Sequence, residues 1–329
     1  MDRRVLLQWA AGAGCTAGCG ARALTAEAAD APSRVDDHDW VDTRRDRSLP
    51  LRVRWPADTL PVPADALPVL LYSHGLGGSR AGGELCARPG RRPVLWWCIC
   101  STPAATSTRC AVLSGPAACV TRPACGSGRN AWTTSAMCLD QITQRQARQQ
   151  GPWAQVRAHR VGLAGHSFGA HTTLAMAGQR WPGLAGVDGA RLGAFVALSP
   201  TAPASDAVQA LAAVRRPMLC ISGSRDGDVL GNGATPERRL AVYEALPAGH
   251  KALLWLQDAD HMSLAGQAGR AVEILPREPV TRALQARHHA LVARVSTDWW
   301  LATLRDDAAA AARLVRPQGL ADADLWAQG

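Results

Sequence analysis

The stretch Arg160-Val161-Gly162-Leu163-Ala164-Gly165-His166-Ser167-Phe168-Gly169-Ala170-His171 is a short apolar run that breaks into Gly-x-Ser-x-Gly and resumes as Thr172-Thr173-Leu174-Ala175-Met176-Ala177. It reads as a strand, a sharp turn and a helix. A serine on such a turn is held in a strained backbone conformation. Glycines two residues before and two after it remove the Cβ atoms that would collide as strand and helix approach. The strain lifts the hydroxyl clear of the sheet, and the free N–H groups opening the helix favour negative charge beside Ser167. In a chain with 31 glycines the five-residue pattern alone has little force; the apolar strand before it and the small-residue helix after it give it meaning.

Outward from that turn, 329 residues fit one large α/β domain, taken as 32–329, better than two small ones. Formal net charge is +9, yet Lys251 is the only lysine, so the basic character is almost wholly arginine. Neither a lysine-rich block nor a basic stripe interleaved with aromatics occurs, which argues against a nucleic-acid partner. Residues 1–31 have the layout of an export signal. Arg3 and Arg4 precede a modestly apolar segment to about Ala17, and small residues follow at Ala21-Arg22-Ala23 and Ala26-Glu27-Ala28. The paired arginines resemble signals of the twin-arginine route, so a periplasmic or secreted location is expected. No later run of about 18 apolar residues predicts a membrane span.

Asp30 to Asp46 is charged and reads as a mobile lead-in. Leu49-Pro50-Leu51-Arg52-Val53-Arg54-Trp55 alternates apolar and basic residues, the period of a half-buried strand, and is expected to be antiparallel. Pro56 to Pro63 is a proline-bearing connection. Leu67-Pro68-Val69-Leu70-Leu71-Tyr72 is continuously apolar, as a strand covered on both faces should be, and ends at Ser73-His74-Gly75-Leu76-Gly77-Gly78. Further buried strands are predicted at 193–198, 217–222 and, as the last, 252–256. A closing helix from Val280 through Leu304 is marked by Leu284, Leu291, Val295 and Trp299. Strands alternating with helical segments predict a mainly parallel sheet with helices on both faces.

Residues 85–139 break this order. Seven of the ten cysteines fall there, and no Asp or Glu occurs between Glu84 and Asp140, where the chain's rate of 27 acids in 329 residues would give about 4.5. Apart from Val94 to Cys100 no periodicity is visible, and regular structure is expected to return with a helix over Leu139 to Gln149. A disulfide-rich or metal-binding insertion is one reading, but no CxxC pair supports a zinc site. The other is that the window is read out of frame, testable by translating the coding DNA in its other frames.

A serine hydroxyl is a weak nucleophile that needs a base within hydrogen-bond reach and a carboxylate to orient that base. Where the serine sits on such an elbow, the partners follow in the order acid, then His, each after a strand. Ser222-Gly223-Ser224-Arg225-Asp226-Gly227-Asp228 supplies the acid: Asp226 is favoured, with Asp228 on the same loop as the alternative. Gln257-Asp258-Ala259-Asp260-His261-Met262 supplies the base, His261. Backbone N–H groups of Phe168 and of Leu76, in the glycine loop after an earlier strand, are the candidate oxyanion donors.

With Ser73-His74-Gly75-Leu76-Gly77-Gly78, Gly165-His166-Ser167-Phe168-Gly169 and Ala259-Asp260-His261-Met262 in view, the chain resembles bacterial α/β-hydrolases grouped with dienelactone hydrolases and the platelet-activating-factor acetylhydrolase family. The likeness covers about 40–84 and 139–329. It implies the α/β-hydrolase fold, a serine esterase acting on small-acyl or lipid-like esters, and no metal or cofactor. It departs from the dienelactone hydrolases, which use a cysteine nucleophile. The acetylhydrolases take their acid after the strand that here ends Leu198-Ser199-Pro200, where no carboxylate follows at once. A peptidase or acyltransferase on the same triad, or an inactive chain spoiled by 85–139, are the alternatives.

Overall fold

Continuous apolar runs become the middle of a sheet, because only a strand covered on both faces has no use for polar residues. The computed structural model describes residues 33–56, 67–76, 78–83, 85, 96–100, 126–180, 189–202, 206–229, 233–266 and 276–329. The export-signal expectation for 1–31, most of the connection from Pro56 to Pro63, and 86–95 and 101–125 of the unusual window lie outside them.

The strands are β1 (Ser33–Asp42), β2 (Arg47–Pro56), β3 (Leu67–Ser73), β4 (Trp96–Cys100), β5 (Val156–His166), β6 (Leu192–Leu198), β7 (Met218–Arg225), β8 (Lys251–Asp260) and β9 (Leu325–Gln328). They form one sheet in the order β1-β2-β4-β3-β5-β6-β7-β8-β9. From β4 to β8 every pairing is parallel, while the marginal pairings β1–β2, β2–β4 and β8–β9 are antiparallel. The helices are α1 (Gly126–Ala147), α2 (Phe168–Ala177), α3 (Ala207–Leu211), α4 (Pro236–Ala245), α5 (His261–Leu264), α6 (Pro279–Arg305) and α7 (Ala308–Val315), with a 3-10 turn at Gly151–Gln155. The fold is α/β, with a mostly parallel sheet flanked by helices.

Alternation along the central strands divides the core in two. Val69, Leu71, Leu163, Phe195, Ala197 and Cys220 face α1, α2 and α4, meeting Ile142, Leu174 and Val242. Their neighbours Leu70, Tyr72, Ala164, Val196, Leu198 and Ile221 face α6, meeting Leu291, Val295, Trp299 and Trp300. Each fully buried valine, leucine, isoleucine or phenylalanine among them contributes about 1.5–3 kcal/mol of transfer free energy. Trp300 packs close against the sheet because Gly162 leaves room: a Cβ there would stand 2.6 Å from the indole.

Three expectations need correction. The charged lead-in from Asp30 to Asp46 contains β1, whose inward positions Asp36, Trp40 and Asp42 alternate with the exposed Val35, Asp37, Asp39 and Val41. The inward carboxylates are satisfied, Asp36 by Trp55 Nε1 at 2.7 Å and Asp42 by Arg45 and two backbone N–H groups, so polar residues hide the period. The helix expected at Leu139 begins at Gly126, because its buried face (Ala131, Thr134, Ser135, Cys138, Ile142) mixes small polar residues into the stripe. Nor is β8 the last strand, since β9 pairs antiparallel with it after α7.

The chain leaves β3 toward β4 on one side and leaves β5 toward β6 on the other. The carboxyl ends of β3 and β5 are therefore the topological switch point, where α/β sheets hold their ligands.

Candidate active site

Ser167 sits between β5 and α2 with φ 55° and ψ −114°, a positive-φ conformation that a non-glycine residue holds only under constraint. The constraint is steric. A Cβ at Gly165 would come 2.2 Å from the carbonyl oxygen of Gly169, and one at Gly169 would come 1.8 Å from that of Ser73. Strand and helix approach as closely as glycine allows. The turn is tied down by Ser167 N–H donating to the Leu198 carbonyl at 3.0 Å, and by Ala170 N–H donating to the Ser167 carbonyl at 2.9 Å.

The loop after β3 lies against this turn. A Cβ on Gly75 would stand 3.4 Å from the Cβ of Ser167, and Leu76 packs on the apolar pair Ala131 and Phe168. Gly75 is held by its own turn, accepting from Gly78 N–H at 3.1 Å and from His74 Nδ1 at 2.9 Å. Phe168 is the first residue of α2, so its N–H has no acceptor one turn back within the helix. The two candidate oxyanion donors thus belong to segments that abut at the switch point.

His261 opens α5 directly after β8, and Asp226 lies on a tight turn directly after β7. Their side chains meet: His261 Nδ1 donates to Asp226 Oδ1 at 2.8 Å, with Asp226 0 % and His261 5 % exposed. The second carboxylate oxygen accepts from Ser222 Oγ at 2.8 Å. Asp228 is turned away, its carboxylate accepting from Gly233 N–H. Burial alone would raise the Asp226 carboxyl, but the hydrogen bond from His261 and the charges of His261 and Arg239 outweigh it and hold it below the usual carboxylate range. With Nδ1 spent on the carboxylate, neutral His261 carries its lone pair on Nε2.

His166, adjacent to the nucleophile, joins the two halves of the site. Its ring lies 4.6 Å from that of His261, and its Nε2 donates to the His261 carbonyl at 3.0 Å. Burial, with His261 beside it, keeps this imidazole well below its ordinary range, so it is a neutral spacer at neutral pH. Asp260 caps α5 through Ser263 N–H at 2.7 Å and is gripped by Arg277, which fixes the approach of His261. The His261 ring makes its polar contacts with Asp226 and Arg239, and the Ser167 hydroxyl is not hydrogen-bonded to it.

Sequence reasoning did not find Ser222, Arg239 or the role of His166. Ser222 ends an apolar strand like any other serine, and Arg239 lies in Pro236-Glu237-Arg238-Arg239, which reads as the charged face of a surface helix. Only His166 carried a signal, its place inside the elbow.

No protein-family model matches this chain, and no curated protein matches its sequence.

Proposed function

We propose that the chain is a serine hydrolase of carboxylic esters built on the α/β-hydrolase fold, acting through an acyl-enzyme. The observation that carries this reading is the 2.8 Å contact between His261 Nδ1 and Asp226 Oδ1, in a pair whose imidazole lies 4.6 Å from the ring of His166, the residue before a serine held at positive φ at the switch point. Such a pair orients an imidazole so that its free nitrogen can accept a proton.

Ser167 Oγ attacks the ester carbonyl while His261 Nε2 takes its proton. The tetrahedral oxyanion is held by the N–H groups of Phe168 and Leu76, each worth roughly 3 kcal/mol of barrier. The imidazolium, steadied by Asp226, gives its proton to the departing alkoxide, and the alcohol leaves. Water, deprotonated by the same imidazole, then releases the carboxylic acid and restores Ser167. Small-acyl or lipid-like esters are the substrates this reading favours. Export to the periplasm or beyond belongs to the same proposal. Among the described residues no helix is long and apolar enough to cross a membrane.

The test is turnover of p-nitrophenyl acetate against a p-nitroanilide of the same acyl group. The expected result is ester hydrolysis that is lost in Ser167→Ala; preferred amide hydrolysis, or an equal rate in Ser167→Ala, would overturn the reading.

A further inference from the structure

Behind Asp226 lies a buried cation that the mechanism above does not use. Arg239, on the first turns of α4, is 4 % exposed. Its Nε donates to the Asp226 backbone carbonyl at 2.7 Å and stands 2.9 Å from Asp226 Oδ1. Nη1 donates to the Ser199 carbonyl at 2.6 Å and Nη2 to the Gly227 carbonyl at 3.2 Å. One planar guanidinium therefore ties the end of β6 to both residues of the acid turn, using the fixed fork that only arginine has. Nη2 also lies 3.2 Å from His261 Nδ1. Since that nitrogen's hydrogen points at Asp226, this is a close approach of a positive charge to the imidazole.

We infer that Arg239 is a positioning residue for the triad: it locks the turn that presents Asp226, and it makes the partner of His261 a compensated ion pair in place of a bare carboxylate. The inference rests on the esterase reading above. The groups facing His261 are Asp226 from the turn after β7, Arg239 from α4 and His166 from β5. With His166 neutral, the charge felt by an imidazolium here is set by Asp226 and Arg239 together. A carboxylate alone would present the imidazole with a full negative charge. The guanidinium, 2.9 Å from that carboxylate and 3.2 Å from the same ring nitrogen, offsets it. The turn also gains rigidity, because Ser199, Asp226 and Gly227 all present carbonyls to one group.

The experiment is the pH profile of kcat/KM on p-nitrophenyl acetate for the wild type, Arg239→Gln and Arg239→Lys, with fluorophosphonate labelling of wild-type Ser167 measured first. Removing the charge in Arg239→Gln is expected to move the acid limb upward by about one pH unit or more. Keeping the charge but not the fork in Arg239→Lys is expected to leave the limb within a few tenths of a unit while kcat falls about tenfold and KM changes less than twofold. An Arg239→Gln limb that coincides with the wild type overturns the inference. If Arg239→Gln does not fold, Arg239→Lys decides: wild-type kcat in that variant overturns it. A wild type that neither turns over the ester nor takes the label overturns the esterase reading and this inference together. An active, labelled wild type with unmoved variants overturns the role of Arg239 alone.

Discussion

In Gly169→Ala the added Cβ would sit 1.8 Å from the carbonyl oxygen of Ser73, 2.6 Å from its carbonyl carbon and 3.0 Å from the carbonyl oxygen of His74. All three are backbone atoms of the strand and loop that lead to Leu76, so no rotamer change relieves the clash. To bring the first contact from 1.8 Å out to 3.0 Å, the closest separation that a Cβ normally tolerates, α2 and the end of β3 must part by about 1.2 Å. Overpacking of this kind costs about 3 kcal/mol. In a chain of 329 residues that corresponds to a melting temperature lower by roughly 4 °C. The same displacement separates the Phe168 and Leu76 N–H groups, and a misplacement near 1 Å costs about 100-fold in rate. Thermal unfolding and p-nitrophenyl acetate kinetics at 25 °C, with Gly151→Ala as control, read both effects. Gly151 has φ +49° but nothing within 4 Å of its added Cβ, so that variant should lose a little stability and no activity. Gly169→Ala with kcat within twofold of wild type and an unchanged melting temperature would refute the steric reasoning.

Three further outcomes are expected. Asp226→Asn should lower kcat about 1000-fold or more by removing the charge that orients His261. It should also cost about 3 kcal/mol in urea unfolding, because Arg239 is left buried without its carboxylate. Arg277→Leu, which frees the carboxylate capping α5, should lower kcat about tenfold with a lower melting temperature; unchanged kinetics would show that His261 does not depend on that cap. The third concerns acid. Burial pushes the His171 imidazole down to about 4, with Arg239 acting in the same sense, and holds His166 well below 6.5. Both are depressed in the fold, so between about pH 6.5 and 4 the unfolded chain takes up protons that the folded chain refuses, and stability falls as pH falls. The Asp226 carboxyl, also depressed, contributes stability that is lost only below its unfolded value near 3.8. Urea midpoints should decline from pH 7 to 4.5, less steeply in His171→Gln; a flat wild-type midpoint over that range would contradict the assignment.

What could be read from the chain beforehand was whatever both faces of the sheet forced to be apolar. β3, β6, β7 and β8 are buried on both faces, with α2 or α4 on one side of the sheet and α6 on the other, so their runs needed no structure to be recognised. The elbow was legible for a different reason: Gly165 and Gly169 are glycines because backbone carbonyls occupy the places of their Cβ atoms. β1 was not legible, since a strand at the sheet margin can bury carboxylates that its neighbours satisfy. β9 is four residues long and half exposed, too short for a period to show. The choice between Asp226 and Asp228 also lay beyond sequence, because both follow the same strand and only the turn decides which carboxylate faces the histidine. Arg239 was hidden by the ordinary look of a charged helix.

The account depends on Ser167 being the reactive hydroxyl of an assembled triad. Treating the folded chain with a fluorophosphonate and locating the adduct by peptide mass spectrometry tests this most directly. One phosphonyl group on Ser167, absent from Ser167→Ala and formed at least 100-fold more slowly in His261→Ala, is the expected result. Folded protein that takes no label at Ser167, or takes it equally fast without His261, would contradict the account.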